Sequence, residues 1–284
     1  MLIKFPIVAF LLAAFSVAAA QPAATAWSKV TEPTQTSGGA RSIGTYTAGC
    51  LRGAVSLPEN GPGYQVMRLS RHRVYGHPDL VNFIEHLGQT ADVRQWGAIL
   101  IGDLGQPRGG PTLTGHRSHQ TGLDVDIWYL LSDVAAKRRL RSEERESWSA
   151  PSVLNGKSNE INPAQWSLAQ EQVLESAARA PEVERIFVHP SIKRQLCTRK
   201  TAHDWLKKIR PWWGHDDHFH VRLKCPQNNP DCNGQEAIPD GDGCDATLAW
   251  WFSEEARQRL AEIRKQPPAP PPLLPSLCEA VLYE

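Results

Sequence analysis

The sequence predicts a single α+β domain that is stapled by disulfides and carries a proline-rich tail. Three observations support this prediction. Short apolar or alternating runs, typical of strands, are interspersed with longer segments whose apolar residues recur at helical spacing. The six cysteines are an even number, and in an exported protein they most simply form three disulfides. Six of the ten residues at positions 266–275 are prolines, which favours an extended strap.

The first twenty residues predict a secretory signal peptide. Lys4 precedes an apolar run that ends in the small residues Ala18, Ala19 and Ala20. The run is too short for a transmembrane helix, which requires roughly 18 or more apolar residues, and no other segment approaches that length. We therefore expect an exported protein without a membrane span.

The rest of the chain divides into predicted helices, strands and loops. Residues 21–49 show little periodicity and are expected to wrap around the surface. A loop at positions 105–115, with four glycines and two prolines, is expected to deliver His116 and His119. The predicted helices cover residues 78–87, 162–179, 190–196 and 246–265, and the predicted strands cover residues 98–101, 123–130, 185–189 and 218–223.

The positions of the cysteines suggest which of them pair. Cys225 and Cys232 flank a turn-rich loop that a local bridge would close. A bridge between Cys50 and Cys278, which lie near the two ends of the mature chain, would fasten the tail. The remaining pair would be Cys197 with Cys244. The sequence alone permits other connectivities, but we expect this set.

The charge balance excludes one class of partner. The 31 lysines and arginines nearly cancel the 30 aspartates and glutamates, and no basic run carries interleaved aromatic residues. Nucleic acid is therefore not an expected partner. The overall charge thus gives no indication of function, and such an indication must come from local groups of residues.

Histidines and aspartates are concentrated in two stretches. Residues 116–126 contain His116, His119, Asp124 and Asp126, and residues 213–221 contain three more of the ten histidines, His215, His218 and His220. Residues two apart on a strand share a face, so each stretch presents its polar side chains on one side of a strand. If the two strands are neighbours, His119, Asp126 and His220 can converge.

Two imidazoles and one carboxylate are typical ligands of a catalytic zinc ion, because they leave a fourth position open. Such a site needs a general base, and His218 shares the face of His220. His215 could stabilise a developing oxyanion or hold a substrate group. Asp124 could orient a ligand or simply bond a loop, His116 could line the cleft, and Asp103 could support the site.

The sequence resembles the zinc peptidases that group lysostaphin-type and D-Ala-D-Ala metallopeptidases, and it is most similar to the penicillin-insensitive murein endopeptidases of Gram-negative bacteria. The resemblance covers nearly all of the mature chain. The segments that carry it are Tyr75-Gly76-His77-Pro78, Ile101-Gly102-Asp103, residues 115–126, Arg210-Pro211-Trp212 and His218-Phe219-His220-Val221-Arg222.

The resemblance implies a fold, a reaction and a cofactor. The implied fold is a small central antiparallel sheet flanked by helices and long loops. The implied ligands of the zinc ion are His119, Asp126 and His220, with His218 as the base and His215 as its helper. The implied reaction is hydrolysis of D-alanyl–meso-diaminopimelyl cross-links of peptidoglycan in the periplasm, with zinc-bound water as the nucleophile and no sensitivity to penicillin. Residues 21–265 would form the metallopeptidase domain, and residues 266–284 a strap fastened by Cys278.

The chain departs from its relatives at two places. Arg117 stands two residues before the first histidine ligand, where the wider superfamily has serine, and Ser118 is adjacent to that ligand. Residues 155–158 replace an aspartate and a histidine that some close relatives carry after the metal strand. We therefore expect one zinc ion per chain, and a second one held with His116 lacks support.

Two other functions remain open. The first is a D-Ala-D-Ala dipeptidase or carboxypeptidase of the same fold, but those enzymes commonly use a glutamate where this chain has residues 215–218. The second is a non-catalytic wall-binding module with a structural zinc ion. His215 and His218 stand outside the three expected ligands, and a structural site would need neither.

Overall fold

The computed structural model describes residues 20–35, 38–156, 159–200, 203–267 and 269–284. The predicted signal peptide lies outside these residues except for Ala20. The helices are α1 (Ala20–Ser28), α2 (Pro78–Arg94), α3 (Asp133–Lys137), α4 (Ser142–Ser147), α5 (Leu168–Arg179), α6 (Pro190–Cys197), α7 (Ala246–Trp250), α8 (Glu254–Lys265) and α9 (Leu277–Tyr283). The strands are β1 (Arg41–Thr45), β2 (Ala48–Arg52), β3 (Val55–Ser56), β4 (Asn60–Gly61), β5 (Tyr64–Val66), β6 (Tyr75–Gly76), β7 (Ile99–Ile101), β8 (Asp124–Trp128), β9 (Leu154–Asn155), β10 (Glu160–Ile161), β11 (Val183–Val188), β12 (Ile209–Pro211) and β13 (His218–Leu223).

The central sheet confirms the α+β prediction. In the described part of the chain it has seven strands, in the order β12-β11-β13-β8-β7-β5-β4. Most neighbours are antiparallel, as expected, whereas β11 with β12 and β5 with β7 are parallel pairs. β13 and β8 lie side by side in the middle, with His220 opposite Asp126. The two histidine-bearing stretches therefore meet on adjacent strands.

The main hydrophobic core lies against one face of these two strands. Val125 and Ile127 of β8 and Phe219 and Val221 of β13 belong to it. Helices α2 and α5 contribute Leu80, Ile84, Leu87, Val173 and Leu174. Because successive side chains of a strand alternate, the polar residues of both strands are turned to the other face. The core thus orients the site.

The predicted helix over residues 78–87 is confirmed and extends further, to Arg94. Pro78 occupies its first turn, and the ring of His77 accepts a hydrogen bond from the backbone N–H of Asp79 at 3.2 Å. The prediction that a helix begins at residue 162 is wrong, because α5 starts at Leu168. Ser167 caps that start, and its side chain accepts a hydrogen bond from the N–H of Ala169.

Two further expectations are wrong. A single helix over residues 246–265 is interrupted, because Ser253 caps a second helix three residues after α7 ends at Trp250. Residues 21–49 were expected to wrap around the surface, but they contain most of α1, all of β1 and the first two residues of β2, and Trp27 and Ile43 are buried. Their burial comes from a distant partner, since Trp27 and Ile43 pack with Cys278 and Val281 of α9. No local pattern could indicate that contact.

The three disulfides have the expected pairing: Cys50–Cys278, Cys197–Cys244 and Cys225–Cys232. The first joins β2 to α9, so the chain after α8 is held against the domain. Arg108 adds two hydrogen bonds from Nη1 to the carbonyl oxygens of Val281 and Leu282, at 3.1 and 2.9 Å. Residues 269–275, which precede α9, contain neither helix nor strand.

Among the residues that the structure describes, no helix combines the length and the apolar character needed to cross a membrane.

Candidate active site

The loop before β8 positions His119, and two residues of this loop have left-handed backbone conformations. His119 has φ +70° and Gly122 has φ +69°. The carbonyl of Gly122 accepts a hydrogen bond from the N–H of His77 at 2.9 Å. A Cβ atom at position 122 would lie 2.3 Å from Cδ2 of Leu51, so this turn requires glycine. The short spacing between His119 and Asp126 thus results from a tight turn that leads into β8.

His119, Asp126 and His220 converge on one carboxylate oxygen. Nε2 of His119 lies 3.6 Å and Nδ1 of His220 lies 3.1 Å from Oδ1 of Asp126. The two imidazole rings meet edge to face, with their centroids 4.8 Å apart. All three residues are buried. The structure therefore brings together the three residues that the sequence suggested as ligands.

Several atoms of this group that could bind a metal ion form no hydrogen bond. Both ring nitrogens of His119 and Oδ1 of Asp126 are buried without a hydrogen bond to any described residue. Leaving such atoms unsatisfied in a protein interior costs about 1–3 kcal/mol each. Two imidazole nitrogens and a carboxylate oxygen are also the donors that zinc prefers. The residues present thus fit a divalent metal ion.

Asp124 and Arg222 fix the orientation of His220. Nε2 of His220 lies 2.6 Å from Oδ1 of Asp124, which leaves Nδ1 facing Asp126. Nε of Arg222 donates to the same Asp124 oxygen at 2.6 Å. Burial favours the neutral form of Asp124, but Arg222 and His220 outweigh it and hold the pKa of this carboxyl well below its usual range. Asp124 is therefore a carboxylate that orients a ring.

His116 contacts the same centre from the loop side. Its Nε2 lies 3.1 Å from Oδ2 of Asp126 and 3.2 Å from Oδ2 of Asp103. Arg71 and Arg73 each donate from Nη1 to Asp103. Although burial opposes ionisation, the hydrogen bond with His116 and the two guanidinium groups lower the pKa of Asp103 to about 2. Donor atoms of His116, His119 and Asp126 also lie within 4.8 Å of one another, so this trio overlaps with the first set.

His218 lies beside the three converging residues. Its Nδ1 is 2.5 Å from Oδ1 of Asp217, and its Nε2 is 3.7 Å from Oδ1 of Asp126. Burial lowers the pKa of His218, but the negative charges of Asp126 and Asp217 outweigh it and raise the pKa to about 9. The hydrogen bond with Asp217 fixes the ring, so the nitrogen that faces Asp126 is the one that can exchange a proton.

His215 provides a second imidazole in the opposite charge state. Its ring centroid lies 5.0 Å from that of His218, and its Nδ1 lies 3.2 Å from the carbonyl oxygen of Trp213. Burial and the nearby rings of His218 and His220 lower the pKa of His215 to about 3. His215 is therefore neutral near pH 7, while His218 readily carries a proton.

A cleft of about 580 Å³ opens onto these residues. Phe187 and Trp212 line it together with His215, His220 and Arg222. Its wall also includes Pro272 of the proline-rich tail, and Arg117 donates from Nη2 to the carbonyl oxygen of Ala269 at 3.4 Å. The tail therefore forms part of the rim of the candidate site.

Sequence reasoning gave no role to Asp217, Arg222, Arg71 or Arg73. Asp217 directly precedes His218, and Arg222 follows His220 at the two-residue spacing of one strand face, so both carried a local signal. Arg71 and Arg73 carried none, because they lie about 30 positions before Asp103. Only folding brings those side chains together.

The sequence is similar to those of known proteins over nearly its whole length. The family model of the penicillin-insensitive murein endopeptidases matches residues 42–283. The chain is 43% identical over 274 residues to a penicillin-insensitive murein endopeptidase of Klebsiella pneumoniae subsp. pneumoniae, covering 96% of each chain. It is also 43% identical over 277 residues to the proteins of the same name from Salmonella paratyphi B and Salmonella typhi, covering 97% of each chain. The chain therefore belongs to the family of penicillin-insensitive murein endopeptidases.

Proposed function

We propose that this chain is an exported zinc endopeptidase that hydrolyses D-alanyl–meso-diaminopimelyl cross-links of peptidoglycan in the periplasm. One observation carries the proposal: the unpartnered, buried donor atoms of His119 and Asp126 converge with His220, and two further histidines lie beside them. Membership of a murein endopeptidase family supports peptide-bond hydrolysis in this polymer.

The residues that would hold zinc are His119, Asp126 and His220. Zinc with three protein ligands would supply a Lewis acid that polarises a carbonyl group and makes water nucleophilic near neutral pH. Asp124 keeps Nδ1 of His220 turned to Asp126, and Arg222 keeps Asp124 ionised. The overlapping trio with His116 does not require a second ion, since His116 already bridges Asp103 and Asp126.

His218 is proposed as the group that moves the proton. A metal ion held by Asp126 would offset part of the negative charge that raises the pKa of His218, and the ring could then accept a proton. Asp217 then stabilises the protonated ring through Nδ1 and keeps it in place for proton transfer to the leaving amine. A general base of this kind typically contributes about 10²- to 10⁴-fold to the rate.

His215 is proposed as a neutral group that holds the substrate or the attacking water. Its low pKa makes the ring neutral near pH 7, and Nδ1 donates its one N–H to the carbonyl oxygen of Trp213. Nε2 is then a hydrogen-bond acceptor for an N–H group of the substrate or for water. The combination of a neutral imidazole with a proton-accepting one supports hydrolysis over simple binding.

The proposed location rests on the sequence and on the disulfides. Residues 1–20 have the pattern of a cleaved export signal. All six cysteines are paired, which suits an oxidising compartment outside the cytoplasm. The relatives' names describe them as penicillin-insensitive, and a reaction without a serine nucleophile would explain that property.

The test is digestion of purified cross-linked muropeptide dimers by the mature protein, with product masses as the readout. We expect dimers to become monomers, the reaction to stop with a zinc chelator, and added zinc to restore it. Removal of a terminal D-alanine alone would instead indicate a carboxypeptidase. Intact dimers in the presence of zinc-loaded protein would indicate a wall-binding module and overturn the proposal.

A further inference from the structure

His116 lines two clefts. One is the cleft that opens onto His215 and His220, and the other has a volume of about 570 Å³. We call this second cleft the basic basin, and its charged, histidine and exposed apolar side chains belong to Arg71, His72, Arg73, Asp103, Leu113 and His116. A substrate that extends in both directions from the candidate active site would therefore enter it.

The basin carries an excess of positive charge. Arg71 and Arg73 both contribute guanidinium groups, and Asp103 contributes the one carboxylate among the described residues that line it. The guanidinium of Arg73 already forms hydrogen bonds within the protein. It donates to Asp103 and to the carbonyl oxygen of Thr114, and its side chain is only 12% exposed. The side chain of Arg71 is 49% exposed, so it can meet a ligand.

A short chain of contacts joins Arg71 to the candidate metal ligands. Nη1 of Arg71 lies 3.1 Å from Oδ2 of Asp103, which lies 3.2 Å from Nε2 of His116. The same His116 nitrogen lies 3.1 Å from Oδ2 of Asp126. Arg71 is thus linked to Asp126 through two intervening residues, Asp103 and His116.

We propose that the basic basin binds a carboxylate of the substrate, with Arg71 as its main contact. Resting on the proposed function, the inference assigns this carboxylate to the diaminopimelyl residue on the amine side of the cleaved bond. That residue carries a carboxylate on the same carbon as the scissile nitrogen. Arginine suits this ligand because its planar guanidinium presents paired donors to a carboxylate.

The basin also offers an apolar surface for the rest of the ligand. Leu113 is 57% exposed, and Val30 and Pro107 lie in the same lining. The methylene groups of a diaminopimelyl side chain can pack against such residues while its carboxylate meets Arg71. The basin thus combines charge and apolar area in the way that this amino acid requires.

The test is binding of the reaction product, which the enzyme does not consume. Calorimetric titration of the intact mature protein would use two monomeric muropeptides, one with a free carboxylate beside the released amine and one with a carboxamide there. We expect the free acid to bind about 10-fold more tightly, in line with a charge-assisted hydrogen bond. The preference should diminish at high ionic strength, because Arg71 is half exposed.

Two variants make the assignment specific. Arg71→Gln should bring the preference for the free acid down to roughly 2-fold or less, since its neutral amide cannot form the charged pair. Arg94→Gln is the matched control, because Arg94 is exposed at the end of α2 and lines neither cleft. Equal affinities of the parent protein for the two monomers, or a full preference in Arg71→Gln, would overturn the inference.

Cleavage of cross-linked dimers by the same preparations separates the two proposals. Dimers that are cleaved while the parent protein shows no preference between the monomers would refute the basin and leave the endopeptidase standing. A preference that depends on Arg71, in a protein that cleaves no dimer, would support the basin as a carboxylate site and refute the proposed reaction.

Discussion

Nε2 of His220 lies 2.6 Å from Oδ1 of Asp124, and this pair sets which nitrogen of His220 faces the centre of the site. Asp124 is fully buried, and Arg222 contacts the same oxygen. A carboxylate held in this way fixes both the tautomer and the ring orientation of a metal-binding histidine. The arrangement predicts that Asp124 acts on the metal through His220.

Asp124→Asn should weaken zinc binding by about 10- to 100-fold, because the amide holds His220 less firmly. Activity should fall at limiting zinc and recover as zinc is added. Competition with a chelating dye measures the affinity, and Asp92→Asn, at an exposed position on α2, is the control. An unchanged zinc affinity in a folded Asp124→Asn protein would contradict the orienting role.

His218→Ala should separate turnover from metal binding. We expect this variant to retain zinc while kcat falls about 10²- to 10⁴-fold, because a proton-transfer group is lost. His119→Ala should lose zinc and activity together, since His119 is a proposed ligand. Metal analysis with steady-state kinetics checks both, and His86→Ala, on the exposed side of α2, should match the parent protein. Full activity in His218→Ala would mean that another group transfers the proton.

Asp103 should contribute a pH-dependent part of the stability. Its pKa is lowered in the folded protein to about 2, so the folded state favours the carboxylate. This contribution, about 2 kcal/mol, is complete above the unfolded pKa near 4 and is lost as the pH falls through about 2.

Asp103→Asn should therefore flatten the stability curve below about pH 4 relative to the parent protein, because its amide does not titrate. Urea unfolding at a series of pH values measures the difference. An identical acid dependence in the variant would show that Asp103 does not carry this contribution.

The disulfides should contribute unequally. Cys50–Cys278 closes a loop with a sequence separation of 228, whereas Cys225–Cys232 spans only 7. The chain-entropy relation gives about 5 kcal/mol for the long loop and about 2–3 kcal/mol for the short one. Thermal unfolding of the two paired Cys→Ala variants compares them directly. A smaller loss of Tm for the Cys50 and Cys278 pair would argue against this order.

The sequence predicted several features correctly from signals in neighbouring residues. Pro78 in the first turn indicated the start of α2, and the two-residue period of strands placed His218 and His220 on one face. Such local signals gave wrong helix boundaries in two segments. Ser167 rather than Asn162 begins α5, and Ser253 divides a segment whose composition favours one continuous helix.

The roles of some residues could not be predicted from the sequence, because they depend on contacts between distant segments of the chain. Asp124 could have bonded a loop, but in the fold it lies against His220 and Arg222, with a sequence separation of 96 from the first. The environment of Asp103 depends on Arg71 and Arg73, which reach it from an earlier segment. Neither the spacing nor the residue type specifies such partners.

The sequence by itself thus determined which side chains are available at the candidate site, because the residues of the two histidine-rich stretches and their spacing on strands predict a metal site. Only the tertiary structure decided how these groups are charged and oriented. Burial lowers the pKa of His215, whereas the carboxylates of Asp126 and Asp217 raise the pKa of His218 against the effect of its burial. The pKa of a buried side chain depends on desolvation and on distances of a few ångströms, and these exist only once the sheet has brought β8 and β13 together.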